Sequence, residues 1–129
     1  DLSGRRALIV EDNEINRFIT VQMLNSVRMK SDEAAGGSQA LSMLDSVPDG
    51  CYDVIFMDIQ MPGMNGYDTV RAIRASQREY LRRVPIIAVT ANAFDEDRRK
   101  ALEAGMDGFV SKPVSASALY EAIMGVLGK

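Results

Sequence analysis

Four short apolar runs punctuate the chain: Ala7-Leu-Ile-Val10, Val54-Ile-Phe-Met57, Ile86-Ile-Ala-Val89 and the briefer Phe109-Val110. Their length and their Val and Ile content predict strands buried on both faces. The stretch from Arg28 to Ala34 carries charge at intervals and predicts a weaker strand at a sheet edge. Helical periodicity fills the intervals over residues 14–26, 38–46, 66–77, 96–104 and 116–127. Asn13, Ser38, Asn65, Asp95 and Ser115 stand where N-caps belong, and Gly105 where a helix would stop. Strands alternating with helices predict an α/β fold, a single doubly wound five-stranded parallel sheet with about five helices over its two faces. Residues 1–129 are expected to form one domain, since this length fills one core and is too short for two.

The first helix carries more apolar surface than one core face requires. Placed at about 100° per residue, Ile19, Met23 and Val27 share a stripe with Leu24 at its margin, while Ile15 and Phe18 fall to the side. Those two residues are therefore candidates for an exposed docking surface, against the plainer reading that they cover neighbouring loops.

Charge and composition narrow the chemistry. Fifteen basic against eighteen acidic residues give a net charge of −3, and no run of basic residues is longer than Arg98-Arg99-Lys100, which argues against nucleic-acid binding. A single cysteine, Cys51, leaves no internal disulfide and no multi-thiolate metal site, as expected of a cytoplasmic location. No apolar stretch reaches the roughly 20 residues needed to span a bilayer, so no direct membrane contact is expected of this segment. Asp1 rather than Met opens the sequence, and the expectation is a piece excised from a longer protein. Histidine is absent, so any histidine chemistry has to be supplied by a partner.

The polar residues fall where such a fold would use them. Glu11-Asp12 ends the first predicted strand and Asp58 the third; Thr90 ends the fourth and Lys112 follows the fifth. In a parallel sheet these strand ends share one edge, the edge at which open α/β sheets bind ligands. Three carboxylates brought together repel one another unless a divalent cation is held among them, and an all-oxygen set suits Mg²⁺ or Mn²⁺. An Asp carboxylate is a competent nucleophile towards phosphorus, Lys112 a point charge for Asp58 or for a phosphate, and Thr90 a donor to a phosphoryl oxygen. Singly, each has a plainer structural reading: an acidic pair at a helix N-terminus, a strand-ending Asp, a strand Thr, a solvated Lys. Their joint placement points to phosphoryl chemistry. Met57, Met61 and Met64 lie nearby and read as gap fillers.

Four blocks, Val10-Glu-Asp-Asn13, Val54 through Gly66, Ile87-Ala-Val-Thr-Ala91 and Gly108-Phe-Val-Ser-Lys-Pro113, resemble the motifs of two-component response-regulator receiver domains. The resemblance spans essentially the whole chain, with 46 residues from Asp12 to Asp58, 32 to Thr90 and 22 to Lys112. It implies a flavodoxin-like receiver fold and a phosphorelay function in which Asp58 accepts a phosphoryl group from a phosphohistidine. It further implies that Glu11, Asp12, Asp58 and the Gln60 backbone carbonyl hold Mg²⁺. Thr90 would be the switch hydroxyl, Lys112 would contact the phosphoryl group, Phe109 would be the switch aromatic, and Pro113 would often follow a cis peptide bond. The implied partner is a histidine kinase or histidine phosphotransfer domain, docked on Ile15 and Phe18. The domain would assist its own phosphorylation and dephosphorylation without being an enzyme in its own right.

Glu11 stands where the family often has Asp, and Phe109 where Tyr is frequent. Gln60 and Asn92 flank the site and are expected to set the lifetime of the phosphorylated form. The wording Glu-Asp-Asn-Glu-Ile-Asn-Arg17 and Thr-Ala-Asn-Ala-Phe94 is most similar to receivers of hybrid sensor histidine kinases, which implies a hybrid-kinase parent, in some cases membrane-anchored. Three other readings remain open on residues alone. A haloacid-dehalogenase-like phosphatase would need a second acid where Gln60 stands, and a flavodoxin-like nucleotide binder a phosphate-cradling loop where Glu-Asp-Asn-Glu stands. The third is a phosphorylation-independent interaction module.

Overall fold

In the computed structural model, which describes residues 2–91 and 95–127, the five predicted strands form one all-parallel sheet. In chain order the elements are β1 (Arg6–Val10), α1 (Glu14–Ser26), β2 (Lys30–Ala34), α2 (Gly37–Asp45), β3 (Val54–Asp58), α3 (Gly66–Arg74), α4 (Glu79–Arg83), β4 (Ile86–Thr90), α5 (Asp95–Ala104), β5 (Gly108–Ser111) and α6 (Ala116–Leu127). The sheet order is β2-β1-β3-β4-β5. The order reverses between β1 and β3, which opens a crevice above the carboxyl ends of those two strands.

Strand alternation divides the core into two halves. Leu8, Val10, Ile55, Met57, Ile86 and Ala88 point to one face, where Ala40 and Leu44 of α2, Val70 and Ile73 of α3, Leu81 of α4 and Ala101 of α5 meet them. Ala7, Ile9, Val54, Phe56, Ile87 and Val89 point to the other, against Leu24 of α1 and Leu119 and Ile123 of α6. Strands β1, β3 and β4 are buried on both faces, which is why they read as unbroken apolar runs. The edge position expected for Arg28 to Ala34 is found, but the strand begins only at Lys30, because Arg28 turns the chain at φ 64 and Met29 is buried.

Several element boundaries differ from the sequence reading. Ser38 does not cap α2; Gly36 does, in extended conformation, while the Gln39 side chain reaches back to accept the Ala35 N–H at 2.8 Å. The helix expected over 66–77 closes at Arg74, and a sixth helix, α4, follows, so the described residues hold six helices and not about five. Five residues are too few to register as a periodic pattern. The buried position of α1 is Leu24; of the expected stripe, Met23 and Val27 pack half-buried against the core, while Ile19 is 42% exposed and turns outward. Helix α5 opens at Asp95, one residue early, and that residue's side chain, read as an N-cap, lies outside the description. Asn13, Asn65 and Ser115 cap as expected, accepting the N–H of Asn16, Asp68 and Ala118.

Candidate functional site

The carboxyl ends of β1, β3, β4 and β5 deliver the predicted residues to one edge. Glu11 and Asp12 follow β1, Asp58 ends β3, Thr90 ends β4, and Lys112 follows β5 with its N–H donating to the Thr90 carbonyl at 2.7 Å. One carboxylate oxygen from each of Glu11, Asp12 and Asp58 lies within 4.8 Å of the other two. Asp58 is 2% exposed, Glu11 is buried and Asp12 faces solvent. Lys112 Nζ lies 3.0 Å from Glu11 Oε1 and 3.3 Å from Asp58 Oδ1, so its nearer partner at rest is Glu11. The N–H groups of Asn13 and Gln60 donate to Glu11 Oε2 at 3.2 Å and to Asp58 Oδ1 at 3.1 Å.

Among the described residues nothing donates a hydrogen bond to the buried oxygen Asp58 Oδ2. A buried carboxylate oxygen without a partner is costly, and here it sits among two further carboxylates. That oxygen-only set fits a hard divalent cation such as Mg²⁺. The electrostatics agree. Burial, then the hydrogen bond and charge of Glu11, push the Asp58 carboxyl up to about 7, against a smaller downward pull from Lys112. Burial alone would raise Glu11 too, but its hydrogen bonds with Asp58, Lys112 and Asn13 outweigh that and hold it below the ordinary range. The Lys112 ammonium, whose burial opposes its charge, is stabilised on balance by Glu11 and Asp58 and titrates above its usual range.

Around this centre, Thr90 is buried, and Gln60 is exposed on the rim of a groove of about 230 Å³ that also borders Thr90, Tyr67 and Lys100. Phe109 is half-buried against the α3–α5 side of the core, with the Arg98 guanidinium 5.2 Å from its ring centroid. The Lys112-Pro113 peptide bond is cis. Met57 and Met61 are buried and Met64 half-buried, as gap fillers would be. Cys51 is a free thiol. Asn92, expected to flank the site, lies outside the described residues. Ile15 and Phe18 are 70% and 61% exposed on the turn of α1 that starts beside Asp12, and Phe18 and Ile19 line an open, largely apolar groove with Met23 and Ala116.

Two residues that the strand-end pattern did not single out belong to the site. Gly66 opens α3 so close to β3 that a Cβ there would lie 2.5 Å from the Asp58 carbonyl oxygen and 2.6 Å from the Ile59 Cα. Only glycine permits that approach; the Asn-Gly at the helix start was its sequence signal. Arg17 donates from Nη1 to the Glu11 carbonyl at 2.8 Å and to the Asp12 carbonyl at 3.4 Å. As a charged residue within a helix it gave no signal of this role.

Comparison with known proteins agrees with this geometry. The family model described as the response regulator receiver domain matches residues 7–124. A hybrid signal transduction histidine kinase L from Dictyostelium discoideum is 43% identical over 119 residues, 92% of this chain and 7% of that protein. A probable histidine kinase 2 from rice is 39% identical over 97% of this chain and 13% of its own length. The chain thus spans a small fraction of these relatives. Among solved structures, the receiver domain of sensor histidine kinase PA1611 from Pseudomonas aeruginosa, with magnesium coordinated in its active-site cleft, superimposes at a TM-score of 0.86. It shares 38% identity, with coverage of 98% of this chain and 100% of that one. The receiver domain of Ssk1 from Saccharomyces cerevisiae, solved in complex with the histidine phosphotransfer protein Ypd1, is 32% identical at a TM-score of 0.82, covering 96% and 89%. The phosphatase, nucleotide-binding and interaction-module readings find no support in these likenesses. Motif placement, sheet order and relatives converge: this chain belongs to the response regulator receiver domain family and takes its place in phosphorelay signalling.

Proposed function

We propose that residues 1–129 form one phosphoacceptor domain in which Asp58 takes a phosphoryl group from a phosphohistidine on a histidine kinase or histidine phosphotransfer partner. The observation that carries this is the buried Asp58, with one carboxylate oxygen unpartnered and Glu11, Asp12 and Lys112 around it. An Asp58 oxygen attacks phosphorus as the bond from phosphorus to the donor's imidazole nitrogen breaks, and the electron pair leaves with that nitrogen. Glu11, Asp12, Asp58 and the Gln60 backbone carbonyl are the residues that would hold Mg²⁺, Glu11 with both oxygens already engaged by Lys112 and Asn13. When bound, the ion neutralises charge on the transferring oxygens. Lys112 stands 3.3 Å from the acceptor and is placed to follow the new phosphoryl group, and the Thr90 hydroxyl completes the set. The magnesium in the PA1611 receiver supports the metal, and the Ssk1–Ypd1 complex supports a histidine-bearing partner.

The domain is a signalling element that assists its own chemistry, in a cytoplasmic setting and within a hybrid histidine kinase; the identity to such kinases supports that parent. None of the helices is long and apolar enough to cross a membrane among the described residues. Ile15 and Phe18 are the proposed docking residues, and Thr90 with Phe109 the proposed switch.

Acetyl phosphate with Mg²⁺ should add one phosphoryl group to the wild-type protein by mass spectrometry, and hydroxylamine should remove it, as it does an acyl phosphate. Asp58→Asn, a near isostere and a weak nucleophile, should remain folded and take up no label. Label at wild-type level in that variant would overturn the assignment.

A further inference from the structure

The acidic loop that ends β1 is clamped from behind by a side chain of α1. Arg17, on the second turn of α1, points back under the helix start with only 17% of its side chain exposed. Its Nη1 donates to the Glu11 carbonyl at 2.8 Å and more weakly to the Asp12 carbonyl at 3.4 Å, and its Nε lies 3.3 Å from Glu33 Oε1 on β2. The backbone of the same loop has other ties. The Glu11 N–H donates to the Ala34 carbonyl at 3.1 Å, and the Asn13 side chain accepts the Asn16 N–H at 2.9 Å. Of these ties, only Arg17 takes the Asp12 peptide carbonyl.

We propose that Arg17 is a positioning residue for cation binding, a guanidinium fork that fixes the backbone of Glu11 and Asp12 so that both carboxylates are aimed before the ion arrives. This rests on the Mg²⁺ site proposed above and adds a residue to it. Asp12 is exposed, and an exposed loop carboxylate that had to be ordered by the ion would lose affinity to that ordering. Fixing about one residue's backbone in advance corresponds to roughly tenfold in affinity. The planar guanidinium reaches both carbonyls from Nη1 while its Nε meets Glu33, whereas an ammonium has one nitrogen for both sides. Glu33 offsets the guanidinium charge and keeps the fork turned inward.

The sign of the effect separates positioning from charge. By Coulomb's law alone, deleting a cation close to a divalent metal site strengthens metal binding. Positioning demands the reverse.

Mg²⁺ titration calorimetry on the 129-residue protein tests this, with melting curves in metal-free buffer showing that each variant is folded at the titration temperature. Arg17→Ala should weaken Mg²⁺ binding about tenfold, and Arg17→Lys, which keeps the charge and loses the fork, should weaken it about threefold or more. In metal-free amide spectra the Glu11 to Asn13 signals should broaden in both variants. Binding unchanged or tighter in Arg17→Ala, while the wild type binds Mg²⁺ normally, would overturn the proposal and leave the metal site standing. A wild type that binds no Mg²⁺ would overturn both. If Arg17→Ala does not fold, Arg17→Lys decides alone: affinity within twofold of wild type refutes the fork.

Discussion

Thr90 ends β4 and Phe109 lies on the neighbouring β5, in register with Ala88; Thr90 is buried, Phe109 half-buried, and the Phe109 ring carries the Arg98 guanidinium 5.2 Å from its centroid. On the proposed switch, a phosphoryl group on Asp58 would draw the Thr90 hydroxyl towards its oxygens, and the vacated space would admit the ring. With no phenolic oxygen on Phe109, that coupling would be steric, and an inward turn of the ring would break the contact with Arg98 on α5. Beryllofluoride, a phosphoryl mimic, should therefore shift amide signals along α5, β5 and α6 in the wild-type protein. In Thr90→Ala those distant shifts should vanish while shifts beside Asp58 persist; equal shifts in both proteins would refute the coupling. The placement of Thr90, like that of Asp58, Glu11, Asp12 and Lys112, was legible because these residues end or follow apolar runs, and parallel topology converts that into a shared edge; Phe109 was singled out by the family resemblance alone. Gly66 and Arg17 were not singled out. A glycine's role depends on which backbone approaches it, here that of Asp58 and Ile59, and an arginine within a helix looks solvated until its loop partners are known.

Helix α1 shows how an element can be found in place and yet be rotated from the face its periodicity predicts. Its span, Glu14–Ser26, is the one the periodicity predicts, yet the inner face is centred on Leu24, with Val21, Met23 and Val27 packed beside it, and Ile19 of the expected stripe faces outward. Two polar residues hid that inner face. Thr20 is half-buried with its hydroxyl bonded to the Asn16 carbonyl, and Arg17 is turned to the acidic loop. Counting both as surface rotates the helix in a purely hydrophobic reading. The consequence is that Ile15, Phe18 and Ile19 remain exposed together on the helix that starts beside Asp12. A partner helix laid on them could direct its histidine at Asp58. Phe18→Ala should slow transfer from a phosphohistidine partner at least about tenfold, roughly 1.4 kcal/mol, while labelling by acetyl phosphate changes little. Equal loss with both donors would indicate damage to the active site, and no loss with either would remove Phe18 from the interface. Helix α4 escaped the sequence reading for another reason: its five residues bury Leu81 alone, and Tyr80 acts through its hydroxyl, which accepts the Tyr52 N–H and donates to the Tyr52 carbonyl, both at 2.7 Å.

For the molecule as a whole, the site is a source of instability that a bound cation would relieve, and pH exposes it. Asp58, pushed up to about 7 from 3.8 chiefly by burial and then by Glu11, keeps its proton in the folded metal-free protein over a range in which the unfolded chain has lost it. The folded state binds the extra proton, so stability falls as pH rises from about 4 to about 7. Glu11 has the opposite sign: its carboxyl is held below 4.5, so its contribution is present above that value and disappears only as pH falls further. Lys112 is raised above 10.5, so its contribution is intact throughout this window and lost only at higher pH. The chain has no histidine to obscure the range between. Metal-free wild-type protein should therefore melt at a progressively lower temperature from pH 5 to pH 7, and Asp58→Asn should flatten that slope. Mg²⁺ requires the carboxylate, so its binding should tighten by up to about tenfold per pH unit below 7 and then level off, with a proton released on binding. Melting curves at pH 5, 6, 7 and 8, with and without saturating Mg²⁺, read both effects. An Asp58→Asn slope equal to that of the wild type would show that the proton resides elsewhere, and pH-independent Mg²⁺ affinity would show that the cation does not compete for it.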